Sequence, residues 1–163
     1  MDFRPITKDN FPELVEIYNQ GLNTQIATFQ NDLPIWEIWD KGHHAFCRFG
    51  AYESNEMLGW TALTPVSSRC VYAGVAEVSV YVAEKARGKG LGKVLLTELI
   101  KQSEENGIWT LQSGIFSENL SSIKLHEKCG FRMVGYREKI GKKNGIWKDN
   151  VLMERRSTNI GID

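Results

Sequence analysis

The chain has 163 residues, 42% hydrophobic and 25% charged, with 20 Lys plus Arg balanced by 20 Asp plus Glu. That length suits one domain able to bury its own core, and the zero formal net charge supplies no bulk field for nucleic acid or an anionic membrane. No apolar run approaches the roughly 20 residues that a membrane-spanning helix needs, and the opening Met1-Asp2-Phe3-Arg4-Pro5 lacks the apolar stretch of a secretory leader.

In chain order, Phe3–Ile6 reads as a short strand, with Thr7 before a helix over about 11–21 whose Leu14, Ile17 and Tyr18 recur at helical spacing. A polar, turn-rich stretch carrying Phe29 leads to a second short helix over Ile35–Lys41. Phe46–Glu53 and Met57–Thr64 form a predicted hairpin across Ser54-Asn55-Glu56. Val75–Val82 alternates, with Val78, Val80 and Val82 on one face and Glu77, Ser79 and Tyr81 on the other. A glycine-rich segment precedes a helix with the apolar stripe Leu91, Val94, Leu95 and Leu99, ending near Asn106-Gly107. Trp109–Phe116 is a predicted strand and Leu120–Lys128 a helix stopped by Gly130. Phe131–Lys139 and Trp147–Glu154 are two last strands joined across Lys142–Gly145. The order is βααβββαβαββ, an α/β chain expected to form a single domain over 1–163, with its core to about 156 and a short tail beyond.

Three scattered cysteines, Cys47, Cys70 and Cys129, make no disulfide framework and suit a reducing cytoplasm. His43-His44 are adjacent, so both cannot face one metal from a regular element, and no metal is expected.

The densest local signal is Arg87-Gly88-Lys89-Gly90-Leu91-Gly92-Lys93 between a strand and an amphipathic helix. A helix N-terminus offers unpaired N–H groups and partial positive charge, and glycines let backbone approach a phosphate. The P-loop pattern fails because Arg87 stands at its first glycine and Val94 at its hydroxyl position. The dinucleotide fingerprint fails because Lys93 stands at its third glycine. A plain strand–helix turn remains the alternative.

Arg87-x-x-Gly90-x-Gly92 after a strand resembles the acetyl-CoA signature of the GNAT superfamily of N-acetyltransferases. Asn119-Leu120-Ser121-Ser122 followed by Leu125-His126 and Gly130-Phe131 is similar to that superfamily's second motif. Ile17-Tyr18-Asn19, Phe29, Arg69-x-x-Tyr72-x-x-x-x-Glu77 and Gly145-x-Trp147-x-Asp149 resemble the phosphinothricin/methionine sulfone acetyltransferase branch, which acetylates the α-amine of small amino-acid-like compounds.

The resemblance implies an acyl-CoA N-acyltransferase fold, with a central mixed, mostly antiparallel sheet flanked by helices. It also implies acetyl-CoA as co-substrate, a small-molecule amine as acceptor and a homodimer. It lays pantetheine along Val80, Tyr81 and Val82 and the pyrophosphate on the amides of Gly88–Lys93, with Asn119 and Ser122 beside the pantetheine arm. Glu77 is the implied general base; its alternative is a strand-face carboxylate paired with a lysine. His126 is the implied acid for the leaving thiolate, or a packing residue that orients the cofactor. Arg69 and Tyr72 match positions that hold the acceptor's acidic group, where an Arg fork suits a carboxylate, against the alternative of a solvated loop. Phe29 is an implied pocket wall, with Trp147 as a second aromatic. Direct transfer makes no use of Cys70 or Cys129.

Overall fold

Eleven elements appear in the computed structural model, which describes residues 1–163. They are β1 (Asp2–Pro5), α1 (Phe11–Asn23), α2 (Trp36–Gly42), β2 (Phe49–Glu53), β3 (Glu56–Pro65), β4 (Val75–Val82), α3 (Leu91–Glu105), β5 (Thr110–Phe116), α4 (Leu120–Lys128), β6 (Arg132–Lys143) and β7 (Ile146–Arg156). The strands form one sheet in the order β1-β2-β3-β4-β5-β7-β6. β1 pairs antiparallel with β2, β2 with β3 and β3 with β4, and on the other side β5 with β7 and β7 with β6. Only β4 and β5 run parallel, because α3 carries the chain back between them. The expected α/β class and mixed sheet are therefore present.

The alternation of β4 decides which helix covers which face. Tyr81 stacks on Trp60, ring centroids 4.8 Å apart, and lies 5.0 Å from Tyr18 of α1. Trp39 of α2 meets Trp60 edge-on, so α1 and α2 share the Glu77–Tyr81 face. On the opposite face Leu95, Leu96 and Leu99 of α3 are fully buried. Complete burial of one such side chain contributes about 1.5–3 kcal/mol.

Boundaries depart from the sequence-based expectation where single residues change the backbone. β2 starts at Phe49 rather than Phe46, because Cys47 sits at φ +55 and breaks the extended run. The last hairpin is longer than expected. Asn144 and Gly145 both adopt positive φ and close a two-residue turn that matches strand twist, so pairing runs out to Lys143 and Ile146. Residues 138–140 bulge around Asp149, which accepts from the Lys139 amide at 2.7 Å and from the Tyr136 hydroxyl.

Candidate active site

The sheet forks at its parallel seam. β4 and β5 pair only over Val75–Glu77 with Thr110–Gln112. β4 then follows β3 to Val82, and β5 follows β7 to Phe116. Beyond Glu77 the β5-facing backbone of β4 has no strand partner, a ready edge for an extended amide-bearing ligand. Val80 and Val82 point toward α3 and Tyr81 toward α1, so along this edge the backbone is the free recognition surface. Burial pushes the Tyr81 phenol up from its ordinary pKa, which keeps it neutral.

Glu77 stands at the apex of the fork, half-buried. Its Oε2 accepts from Gln112 Nε2 at 3.4 Å. Its Oε1 lies 3.7 Å from where a Cβ on Gly114 would be. No lysine pairs with it among the ion pairs of the molecule.

The glycine-rich loop follows directly. Gly90 is the N-cap of α3 at φ +82, ψ 0, with no side chain to cap the helix. The first intrahelical bonds start at the amides of Lys93 and Val94, both donating to Gly90 O, so the Leu91 and Gly92 amides stay free for an anion. Gly88 is also left-handed at φ +75. The Leu91 side chain is buried and anchors the turn, while Arg87, Lys89 and Lys93 are exposed; Arg87 Nε donates to Val82 O at 3.2 Å. Gly92 serves a different need: a Cβ there would sit 3.0 Å from Leu125 Cδ2, so it permits the close approach of α3 and α4.

α4 brings the second motif alongside. Asn119 Oδ1 caps the helix by accepting from Ser122 N at 3.3 Å, and Asn119 Nδ2 donates to Ile26 O at 3.2 Å. His126 is only 3% exposed. Its Nδ1–H donates to Ser122 O at 2.7 Å, its ring meets Phe131 edge-on, and its buried Nε2 has no partner. Burial holds its pKa below the usual histidine range, partly offset by the Ser122 bond. In that neutral tautomer Nε2 carries a lone pair and no proton to give.

The segment over residues 24–31 covers the face that Glu77 shares. Phe29 packs edge-on against Phe116 at 4.4 Å and lies on Gly141, where a Cβ would come within 2.9 Å of its ring. Two bonds from the last hairpin clamp this segment: Lys143 Nζ donates to Gln30 O at 2.5 Å and Asn144 Nδ2 to Gln25 Oε1 at 2.7 Å. Lys143 is 3% exposed and escaped the sequence reading, because its stretch reads as a charged turn until the hairpin register turns it inward. Arg69 and Tyr72 stand on an exposed loop before β4, the guanidinium 5.4 Å over the ring. Trp147 is 54% exposed and pairs with the Lys142 ammonium rather than with Phe29. The structure thus gathers Glu77, the loop, α4 and Phe29 around the fork, and leaves Arg69 and Tyr72 at the surface.

No three His, Cys, Asp or Glu side chains come together as a metal site, and no helix is long and apolar enough to cross a membrane. The free amides, left-handed glycines and unpaired strand edge fit a ligand with a diphosphate and an extended amide arm. Residues 7–131 match the model of the Acetyltransferase (GNAT) family. The chain is 35% identical to the phosphinothricin N-acetyltransferase of Streptomyces coelicolor, over 93% of this chain and 94% of that one. It superposes with TM-score 0.88 on a ribosomal-protein-alanine N-acetyltransferase from Brucella melitensis, at 30% identity, covering 96% of this chain and 100% of the other. It superposes with TM-score 0.83 on a GNAT superfamily phosphinothricin acetyltransferase from Sinorhizobium meliloti in complex with AcCoA, at 27% identity, covering 95% and 87%.

Proposed function

The chain belongs to the GNAT acetyltransferase family and is an acetyl-CoA-dependent N-acetyltransferase; we propose that its acceptor is the α-amine of a small amino-acid-like compound of the phosphinothricin or methionine sulfone type. The observation that carries this reading is Glu77 at the apex of the fork, on the face walled by Phe29 and Phe116. The phosphinothricin acetyltransferase match supports the acceptor class.

When bound, acetyl-CoA supplies an activated acetyl thioester. The free Leu91 and Gly92 amides within the Gly88–Lys93 turn would hold its diphosphate, and the open edge along Val80, Tyr81 and Val82 would hold its amide arm. Asn119 and Ser122 border the same arm from α4. Glu77 takes the proton from the acceptor ammonium, directly or through water, and leaves the amine lone pair free to attack. Phe29 orients the acceptor and excludes solvent. Arg69 and Tyr72, which the family resemblance implies for its acidic group, stand on the exposed loop before β4 and would receive that group at the rim of the fork, a contact that separates a free amino acid from a peptide N-terminus. His126, neutral and bonded within its own helix, positions α4 against Phe131 rather than donating a proton.

The three free thiols suit a cytoplasmic setting. Exposed Met133, Val134, Tyr136 and Ile140 on the outer strand suit the homodimer that the family resemblance implies.

The test is thiol release from acetyl-CoA across phosphinothricin, methionine sulfone, methionine sulfoximine, ordinary amino acids, polyamines and a peptide with N-terminal alanine. Turnover confined to the free amino-acid-like acceptors is expected, and Glu77→Gln should lower kcat by about 10²–10⁴-fold with acetyl-CoA affinity kept. The loss should shrink as pH rises past the acceptor's pKa, about 8 or above, where the amine is already neutral. Turnover by Glu77→Gln within a few-fold of wild type at pH 7 would refute the base assignment.

A further inference from the structure

Gly114 leaves a notch in β5 beside the Glu77 carboxylate. A Cβ there would lie 3.7 Å from Glu77 Oε1 and 3.2 Å from Asn150 Nδ2. The register explains the convergence. Glu77 pairs with Gln112, Gly114 with Leu152 and Phe116 with Asn150, so Glu77, Gln112, Gly114, Phe116 and Asn150 share one face. Gln112 holds Oε2, which leaves Oε1 as the oxygen turned to the notch.

Asn150 is a costly residue to put there. It is 8% exposed, and its Oδ1 is buried without a hydrogen-bond partner. An unmet buried polar atom costs about 1–3 kcal/mol, which an apolar side chain of the same size against Phe116 avoids. With Oδ1 turned away and unmet, Nδ2 is the amide atom that faces the notch, 3.2 Å from where a Gly114 Cβ would lie, and a small polar guest there meets an amide donor opposite a carboxylate.

We propose that Asn150 is a positioning residue for acceptor deprotonation: across the Gly114 notch from Glu77, its amide holds the water molecule that links the acceptor ammonium to the Glu77 carboxylate. The water accepts a hydrogen bond from Asn150 Nδ2–H and donates one to Glu77 Oε1. One ammonium N–H bond breaks and its proton passes to the water oxygen, while the same water gives an O–H proton to Oε1. The amine keeps the electron pair, Glu77 becomes a neutral carboxyl and the water is regenerated. Gly114 is required because a methyl group would occupy the water's place. This inference rests on Glu77 as the base.

The experiment compares steady-state kinetics and pH–rate profiles of wild type, Asn150→Val, Gly114→Ala and Glu77→Gln, with melting curves for each. Asn150→Val should lower kcat about tenfold, the worth of one hydrogen bond of about 1.4 kcal/mol, with the KM for acetyl-CoA unchanged. Its acidic limb should move to higher pH, because ionised Glu77 loses a hydrogen-bonded partner. Its melting temperature should hold or rise, since the orphaned amide is gone. Gly114→Ala, which keeps Asn150, should show the same kcat loss by filling the notch. Wild-type kcat and limb position in both variants, with Glu77→Gln impaired, overturns the role of Asn150 and leaves Glu77 standing. A lowered melt with an unmoved limb overturns it too. Wild-type turnover in Glu77→Gln overturns the reading beneath it.

Discussion

Substituting Gly90 with alanine separates a phosphate cradle from a simple turn. Gly90 caps α3 at φ +82, where a Cβ costs about 1–2 kcal/mol. A Cβ there meets nothing within 4 Å, so packing adds no further penalty. For a chain of this size each kcal/mol moves the melting temperature by about 2–4 °C, which sets the expected fall at about 2–8 °C. Relaxation of residue 90 away from the left-handed region turns the Leu91 and Gly92 amides off their common direction. Loss of one amide bond to a charged phosphate costs about 1.5–3 kcal/mol, a tenfold to hundredfold weaker Kd. Calorimetric titration of the folded variant with acetyl-CoA, alongside its melt, measures both numbers. Gly92→Ala is the comparison, because its Cβ would press on Leu125 at 3.0 Å and so acts first on helix packing. Bulk at position 92 therefore tests helix packing, and bulk at position 90 tests the cradle. Gly90→Ala with the expected melt and a Kd within twofold of wild type would refute the cradle.

Lys143→Met keeps the length of the side chain and removes the donor to Gln30 O, leaving that carbonyl unmet at about 1–3 kcal/mol. The KM for the acceptor should rise several-fold while calorimetry finds acetyl-CoA affinity unchanged, and an unchanged acceptor KM would mean that the clamp does not shape the pocket. His126 makes stability fall with acidity. Burial depresses its folded pKa, so its contribution is complete above the unfolded value near 6.5 and is lost as pH drops from there toward the folded value. The melting temperature of wild type should decline between pH 7 and 5, and that of His126→Leu should decline less. Half-buried His43 and His44 shift in the same direction and keep the variant's slope from vanishing.

Much of this molecule was legible from short-range pattern. Val78, Val80 and Val82 alternate as the strand does, and Leu91, Leu95 and Leu99 recur as the helix does, since both periods are properties of the local backbone. The glycine-rich turn was visible for the same reason. What stayed hidden depends on partners far along the chain. That β5 lies beside β7 rather than β6 is decided by packing, and with it the face that gathers Glu77, Gly114 and Asn150. Lys143 looks like a solvated charge until the Gln30 carbonyl, 113 residues away, accepts its hydrogen bond. Gly92 reads as a phosphate glycine because nothing near it in sequence announces Leu125. Cys47 gives no warning of its left-handed backbone, and β2 came out three residues shorter than its apolar run suggests.

The fork also has a mechanical meaning. The sheet is two panels, β1 to β4 and β5 to β6, sewn together along the middle by three residue pairs, where β3 and β4 share seven. A short seam resists shear and twist less than a long one, so relative motion of the panels concentrates there. A ligand lying along the open edge touches the β4 panel with its arm and α4, beyond the seam, with its flank. Its binding free energy then acts as extra stitching between the panels, and amide exchange at Val75–Glu77 and Thr110–Gln112 should slow on binding more than exchange anywhere in β1 or β2.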